Sequence, residues 1–264
     1  MLNTLIFIIF YFTIIFSVLG YGYLALNFSK NKYTSSDLGY IGLVGILFLI
    51  IISYISHFFV SHNYIFNSFV LFIGVFFFIF ETLKDKKFLE KKNIKLLIFI
   101  FIILFLGIMM HKTHDDFPYY HFPYTYYLTQ SDIHIGVGNF SQGFRTSSSI
   151  FYLNSLFYLP LVKYYLFQLG AILIMGFSNL ILLEKILLEI RRKNINYLTY
   201  LSLLSFVFIN IFFYRIQEHG TDRSAQILIF ILFIELISLK NLKVIMDETF
   251  SKIIIILALI ISFK

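Results

Sequence analysis

From position 96 to 110 the chain reads LLIFIFIILFLGIMM, fifteen residues without a charge. Comparable apolar runs occupy 2–26, 38–60, 64–83, 164–188, 197–213 and 225–239, and an eighth begins at Ile253. This succession limits what the chain can fold into. A soluble domain carries about 25% charged residues, whereas here 13% are charged and 59% hydrophobic, too little polar surface to clothe a globule in water. The runs are continuous rather than alternating, which excludes a transmembrane β-barrel and predicts an all-α bundle. The expected fold is a polytopic bundle of seven or eight spans occupying residues 1–264 as a single transmembrane domain, with short juxtamembrane helices in a long loop. The N-terminal run is too long for a signal peptide and no cleavage pattern follows it, so it counts as a span. The last run, IIIILALIISF, is shorter than the roughly 20 residues a span needs, and the C-terminal region reads as incomplete.

Lysine and arginine concentrate in alternate connections: KDKKFLEKKNIK (84–95), RRK (191–193), NFSKNK (27–32) and LKNLK (239–243). Cytoplasmic loops carry such an excess. These four connections therefore define the cytoplasmic side, and the N-terminus, the loop from 111 to 154 and the second loop at 214–226 lie outside. The net charge of +7 is accounted for by this rim, so nucleic acid is not an expected partner; membrane lipids are. The expected location is the cytoplasmic (inner) membrane of a bacterium, with the main loop facing the periplasm or exterior. The seven histidines (57, 62, 111, 114, 121, 134 and 219) all fall on or near that outer side. With no cysteine in the chain, thiolate chemistry and Cys-based zinc sites are excluded. No phosphate-binding glycine loop, dinucleotide fingerprint or nucleophile elbow occurs.

The long loop opens with HKTHDDFPYYHFPYTYY (111–127). The stretch predicts a short helix with Asp116 at its cap and Pro118 in its first turn; Pro123 kinks it or starts a second piece. A glycine-rich turn region follows, then SIFYLNSLFYLP (149–160) as a second, amphipathic segment, with Lys163 snorkelling at the start of the next span. Two adjacent carboxylates beside an apolar slab have two readings, a helix cap or a chemical group. One cap suffices, so Asp115 is the first choice for chemistry and Asp116 the second. His111 and His114, three apart, suit a metal if the helix continues through them. Glu235 reads as interfacial, and the spans otherwise look apolar at mid-depth, which argues against a transporter.

The pattern D-D-x-x-x-Y-H-x-P at 115–123, opening a long outer loop, together with GTD at 220–222, resembles the GT-C superfamily of polytopic membrane glycosyltransferases, of the bacterial envelope glycan-assembly type. The resemblance covers about 110–226. Four spans precede the acidic loop here, where one is usual in that superfamily. The resemblance implies transfer of a sugar from a polyprenyl-phosphate donor to a glycan or lipid acceptor on the extracytoplasmic face. It implies Asp115 and Asp116 as catalytic carboxylates and Tyr119, Tyr120 and His121 against the sugar. Arg145, Arg215 and Arg223 would bind phosphate beside Asp222, and a divalent metal ion is a possible cofactor. The alternatives are a polysaccharide polymerase or ligase of similar topology, and a non-catalytic membrane subunit or transporter.

Overall fold

The computed structural model describes residues 2–29, 37–84, 92–109, 113–145, 148–193, 195–219, 221–239 and 246–263. The described residues are all-helical apart from turns and one isolated bridge. Eight longer helices are α1 (Leu2–Ser29), α2 (Leu38–His57), α3 (Tyr64–Lys84), α4 (Lys92–Ile108), α7 (Leu169–Arg191), α8 (Tyr197–Phe212), α9 (Asp222–Leu239) and α10 (Met246–Phe263). Two short ones, α5 (Phe122–Gln130) and α6 (Ser149–Ser155), lie between α4 and α7. Four helices, Thr4–Phe28, Leu38–His57, Tyr64–Lys84 and Tyr164–Arg191, are long and apolar enough to cross a membrane. Three more, Asn93–Ile108, Tyr197–Phe212 and Thr249–Phe263, are apolar but shorter. The outward faces match a lipid solvent: Phe69, Phe72 and Phe76 of α3 and Tyr200, Leu204 and Ile211 of α8 are exposed at helical spacing, rows that would be costly in water.

Between helices in lipid, association depends on close packing rather than on expelling water. The α1–α3 and α1–α2 contacts are built on glycines that let backbones touch. A Cβ at Gly74 would lie 2.0 Å from Ser17 Oγ and 2.6 Å from its carbonyl oxygen. A Cβ at Gly45 would lie 1.9 Å from the Val18 carbonyl oxygen. Helix α7 is the centre of the bundle, buried on all sides from Leu169 to Leu182 and packed by α2, α4, α8 and α9; α10 covers α9 and α2. The apolar middle is not free of polar groups. Asn179 of α7 and Asn210 of α8 exchange two amide hydrogen bonds, at 3.1 and 2.9 Å.

The helices alternate in direction, which gives the bundle two ends. One end holds Asp37, Tyr40, Lys185, Glu235 and Lys252. Glu235, at this end, is buried, accepts from Tyr40 and pairs with Lys185. A carboxylate taken out of water needs such partners. Lys252 pairs with Asp37 at 2.9 Å and lies over the Tyr40 ring. The other end gathers the loops. There α6 is buried on every face rather than amphipathic, because its polar groups find partners inside. Ser148 at its cap donates to the Phe263 carbonyl at 2.7 Å, Ser149 meets Tyr54 at 3.0 Å, and Asn154 accepts from the first-turn amide of Gly170 at 2.9 Å. The fifth long apolar segment, Tyr164–Arg191, opens with a 3-10 turn at Tyr164–Leu166 before α7 proper begins at Leu169 behind the Asn154 cap.

Replacing Gly74 by alanine forces backbone and Ser17 apart and should lower stability by about 1–3 kcal/mol. Gly107→Ala meets only the flexible end of Ile216, at 2.7 Å, and should be nearly neutral. Thermal unfolding of the two variants in detergent measures the difference; equal midpoints would show that the α1–α3 contact does not set stability.

Candidate functional site at the loop end

The site is built on a local irregularity with a legible cause. Pro123 has no N–H to give and its ring clashes with the carbonyl four residues back, so the turn before it cannot close as an α-helix. It widens instead. Phe117–His121 forms a π-helical turn, in which Asp116 O accepts from Tyr119, Tyr120 and His121, and Phe122 N–H donates to Phe117 O. In an α-helix, residues five apart diverge by about 140°, at 3.6 residues per turn. The wider turn returns them to one face, so Asp116 and His121 look the same way. Such turns are frequent at functional sites. Asp116 occupies the cap position as expected, yet its side chain makes no capping bond.

The Asp116 carboxylate instead faces side chains. Its Oδ2 lies 3.8 Å from His114 Nδ1 and accepts from Tyr120 OH at 3.4 Å. Asp116 N–H donates to His114 Nδ1 at 3.1 Å. The His114 and His121 rings stack with centroids 5.3 Å apart. One donor atom from each of His114, Asp116 and His121 can be chosen so that all lie within 4.8 Å of one another. His114 and Asp116 are half-exposed; His121 is buried, its Nε2 without a hydrogen-bond partner among the described residues. Burial and the neighbouring His114 push the His121 pKa down to about 4, against the opposing pull of Asp116. The Tyr120 hydroxyl is raised by burial, then by Asp116, and further by the charge of Asp222.

That last influence brings the second loop to the first. His114 N–H donates to Gln217 O at 3.2 Å, and the Gln217 side chain donates to Ile108 O at the end of α4. Arg215 and Arg223 both turn to Glu218, at 3.5 and 3.7 Å. Arg145 is exposed and folds back on its own loop, its Nε donating to Gly138 O at 3.1 Å. Asp115 and Tyr119 are exposed in and after the turn. Asp222 opens α9, where a carboxylate suits the positive helix end. Thus the structure assembles Asp116, Tyr120, His121 and His114, with Asp222 acting through its charge, and leaves Asp115, Tyr119 and Arg145 on the surface. His111, expected beside His114 as a ligand, lies outside the described residues, as does Gly220 of the GTD stretch.

Beside this cluster opens a cavity of about 810 Å³. Its walls come from the start of α1 (Thr4, Phe7), the end of α4 (Ile108, Met109), the 113–122 segment and the 161–169 turn. Leu161 and Lys163 in that turn have φ of 68° and 45°, backbone that non-glycine residues rarely adopt and that tends to cluster at working sites. A second, small cavity of about 30 Å³ shares Phe117, Phe167, Gln168 and Gln217 with the first and reaches His121. It has room for a water. Gln168 Oε1, another buried atom without a partner among the described residues, lines it with His121. No sequence signal marked Gln217 or Asn154 beforehand.

The remaining described histidines gather at this same end as structural pieces. His62 bonds Ser155 at 2.6 Å and Ser56 at 3.0 Å, and its backbone N–H donates to Leu128 O at 2.9 Å. Asn67 Nδ2 lies 2.6–2.9 Å from the carbonyls of His62, Ser155 and Tyr158. His57 contacts Ser131 O at 3.0 Å, and His219 contacts Phe213 O at 2.7 Å. Burial lowers His62 to about 3 and His219 to about 4.

A depressed histidine pKa means that between the unfolded value of 6.5 and the folded value the unfolded chain binds more protons. Stability is therefore intact above pH 6.5 and is lost as pH falls towards 4 and 3. The loss approaches about 1.4 kcal/mol per pH unit per histidine. Melting temperature in detergent should hold above pH 6.5 and fall from there to pH 5, and His62→Gln should flatten the slope; a flat wild-type profile would refute the buried neutral state.

No curated protein and no solved structure matches the chain. The match that exists is to a family, and it runs the whole length: over residues 1–264 the chain belongs to the family described as Domain of unknown function (DUF8201).

Proposed function

We propose that the chain is a GT-C-like membrane glycosyltransferase that works at its loop end on a lipid-linked substrate. The observation that carries this reading is the cavity of about 810 Å³, aromatic and apolar, joined through Phe117 and Gln217 to the pocket of His121. A polyprenyl chain needs an apolar slot at the membrane surface, and its phosphate-linked sugar needs polar groups at one end of that slot. The apolar cavity and the polar groups of the small pocket beside it support this reading. Arg215 and Arg223, now sharing Glu218, are the cations a phosphate would draw over. In the transfer, the bond from the sugar's anomeric carbon to the phosphate oxygen breaks and a bond to the acceptor hydroxyl oxygen forms. The acceptor's proton passes to a base, and polyprenyl phosphate leaves as the anion. Asp116 is the carboxylate placed to serve that hydroxyl, with Tyr120 positioning it. This moves the first choice from Asp115, which is exposed, to its neighbour.

The same reading extends to topology. The bundle alternates over seven or eight spans, its loop end extracytoplasmic in a bacterial cytoplasmic membrane. The basic residues in four alternate connections of the sequence support that orientation. The acceptor is an envelope glycan or lipid.

The test is the profile of lipid-linked and surface glycans in native cells at matched levels of inserted protein. Asp116→Asn should lower the product by about 100-fold or more, while Asp115→Asn keeps most of it. Pro123→Ala restores a donor, lets the α-helical turn close and swings His121 off the Asp116 face. It should reproduce the Asp116→Asn loss without lowering thermal stability. An unchanged profile in Asp116→Asn cells would remove the transferase reading and favour a non-catalytic membrane subunit.

A further inference from the structure

The geometry points to a divalent transition-metal site formed by His114, Asp116 and His121. Two imidazoles and one carboxylate are a donor set that zinc, manganese and iron(II) accept, whereas magnesium and calcium prefer oxygen alone. The three donor atoms lie within 4.8 Å of one another. Around a tetrahedral ion with bonds of about 2.0–2.2 Å, donors sit roughly 3.4 Å apart. The His114 Nδ1 to Asp116 Oδ2 distance, 3.8 Å, is already near that value. The remaining closure falls to the right partners. His114 and Asp116 are half-exposed on a turn and can swing, while His121 is buried and fixed by the helices packed on it.

The surroundings are those of a ligand set rather than of a plain surface ion pair. A ligating imidazole commonly gives its second nitrogen to a neighbouring polar group. His121 has a buried Nε2 without a partner among the described residues, and it borders the 30 Å³ cavity that also holds the unpartnered Gln168 oxygen. Tyr120 OH on Asp116 Oδ2 orients the carboxylate in the same manner. Three protein ligands characterise working rather than structural metal sites, because coordination positions remain for water or for an oxygen of the substrate. A carboxylate that ligates through one oxygen keeps the other for the acceptor's proton. The pairing differs from the one expected of His111 and His114: the partner that the π-turn supplies is His121, seven residues on.

Ion binding itself does not depend on the transferase reading; only the ion's service to a substrate oxygen does. The experiment uses the full chain purified in detergent, stripped with chelator, then titrated with Zn²⁺, Mn²⁺ and Mg²⁺ and read by elemental analysis. Co²⁺ absorption serves as a probe of ligand geometry. One equivalent of Zn²⁺ or Mn²⁺ should bind, with Mg²⁺ far weaker. His114→Ala and Asp116→Asn should each weaken binding about tenfold or more, while His134→Ala, on the exposed part of the same loop, leaves it unchanged. Melting of the metal-free variants at the wild-type temperature shows that they are folded. Absence of stoichiometric binding, or binding that survives both substitutions, overturns the site. Because no glycan is measured, that failure stands apart from failure of the transferase reading.

Discussion

Inside an apolar slab there is no water to complete a hydrogen bond, and that single constraint shapes both ends of this molecule. A polar group taken below the surface is costly unless it finds a partner within the protein. Asn154 caps α7 and Ser148 reaches the last described turn of α10. Asn179 and Asn210 close on each other, and Glu235 takes Tyr40 and Lys185. The helices alone would leave a bundle free to slide. These bonds, each between defined atoms, fix which helix sits against which, so that the loops between them arrive together.

The two ends solve the constraint differently. The basic end uses full charges in opposed pairs, Asp37 with Lys252 and Glu235 with Lys185. The loop end uses neutral imidazoles, with His62 and His219 held uncharged by burial, His62 bonded to two hydroxyls and His219 to one carbonyl. A scaffold of neutral groups leaves the half-exposed carboxylate of Asp116, and the arginines at 215 and 223 that share Glu218, among the charges at this end. Their field is then available to a ligand rather than spread over the whole surface.

Much of this was readable from residues. The apolar runs gave the helices, and the basic connections identified one end, to within a few residues at most boundaries. Pro118 and Pro123 located the broken helix in the loop. What could not be read had physical reasons. A π-turn leaves no periodicity in five residues, so the cap argument favoured Asp115, whereas it is Asp116 that the turn sets beside His114 and His121. The 149–160 segment looked amphipathic because its serines and asparagine are polar by type. Their buried partners lie up to 95 residues away, and no local pattern reports that. Glu235 falls near the end of its run, but its partners Tyr40 and Lys185 come from two other helices. A cavity has no sequence signature at all, being the space that five separate segments leave between them.

The bond from Ser148 to Phe263 has a consequence for how the molecule is made. A ribosome delivers residue 148 well before residue 263, and contacts so distant in sequence form late. Until α10 is in place, the cap of α6 has lost its acceptor and one side of α6 its cover. The floor of the loop end is thus finished by almost the last described residue of the chain. A nascent protein stalled before α10 would hold its helices in the membrane with the loop end still open.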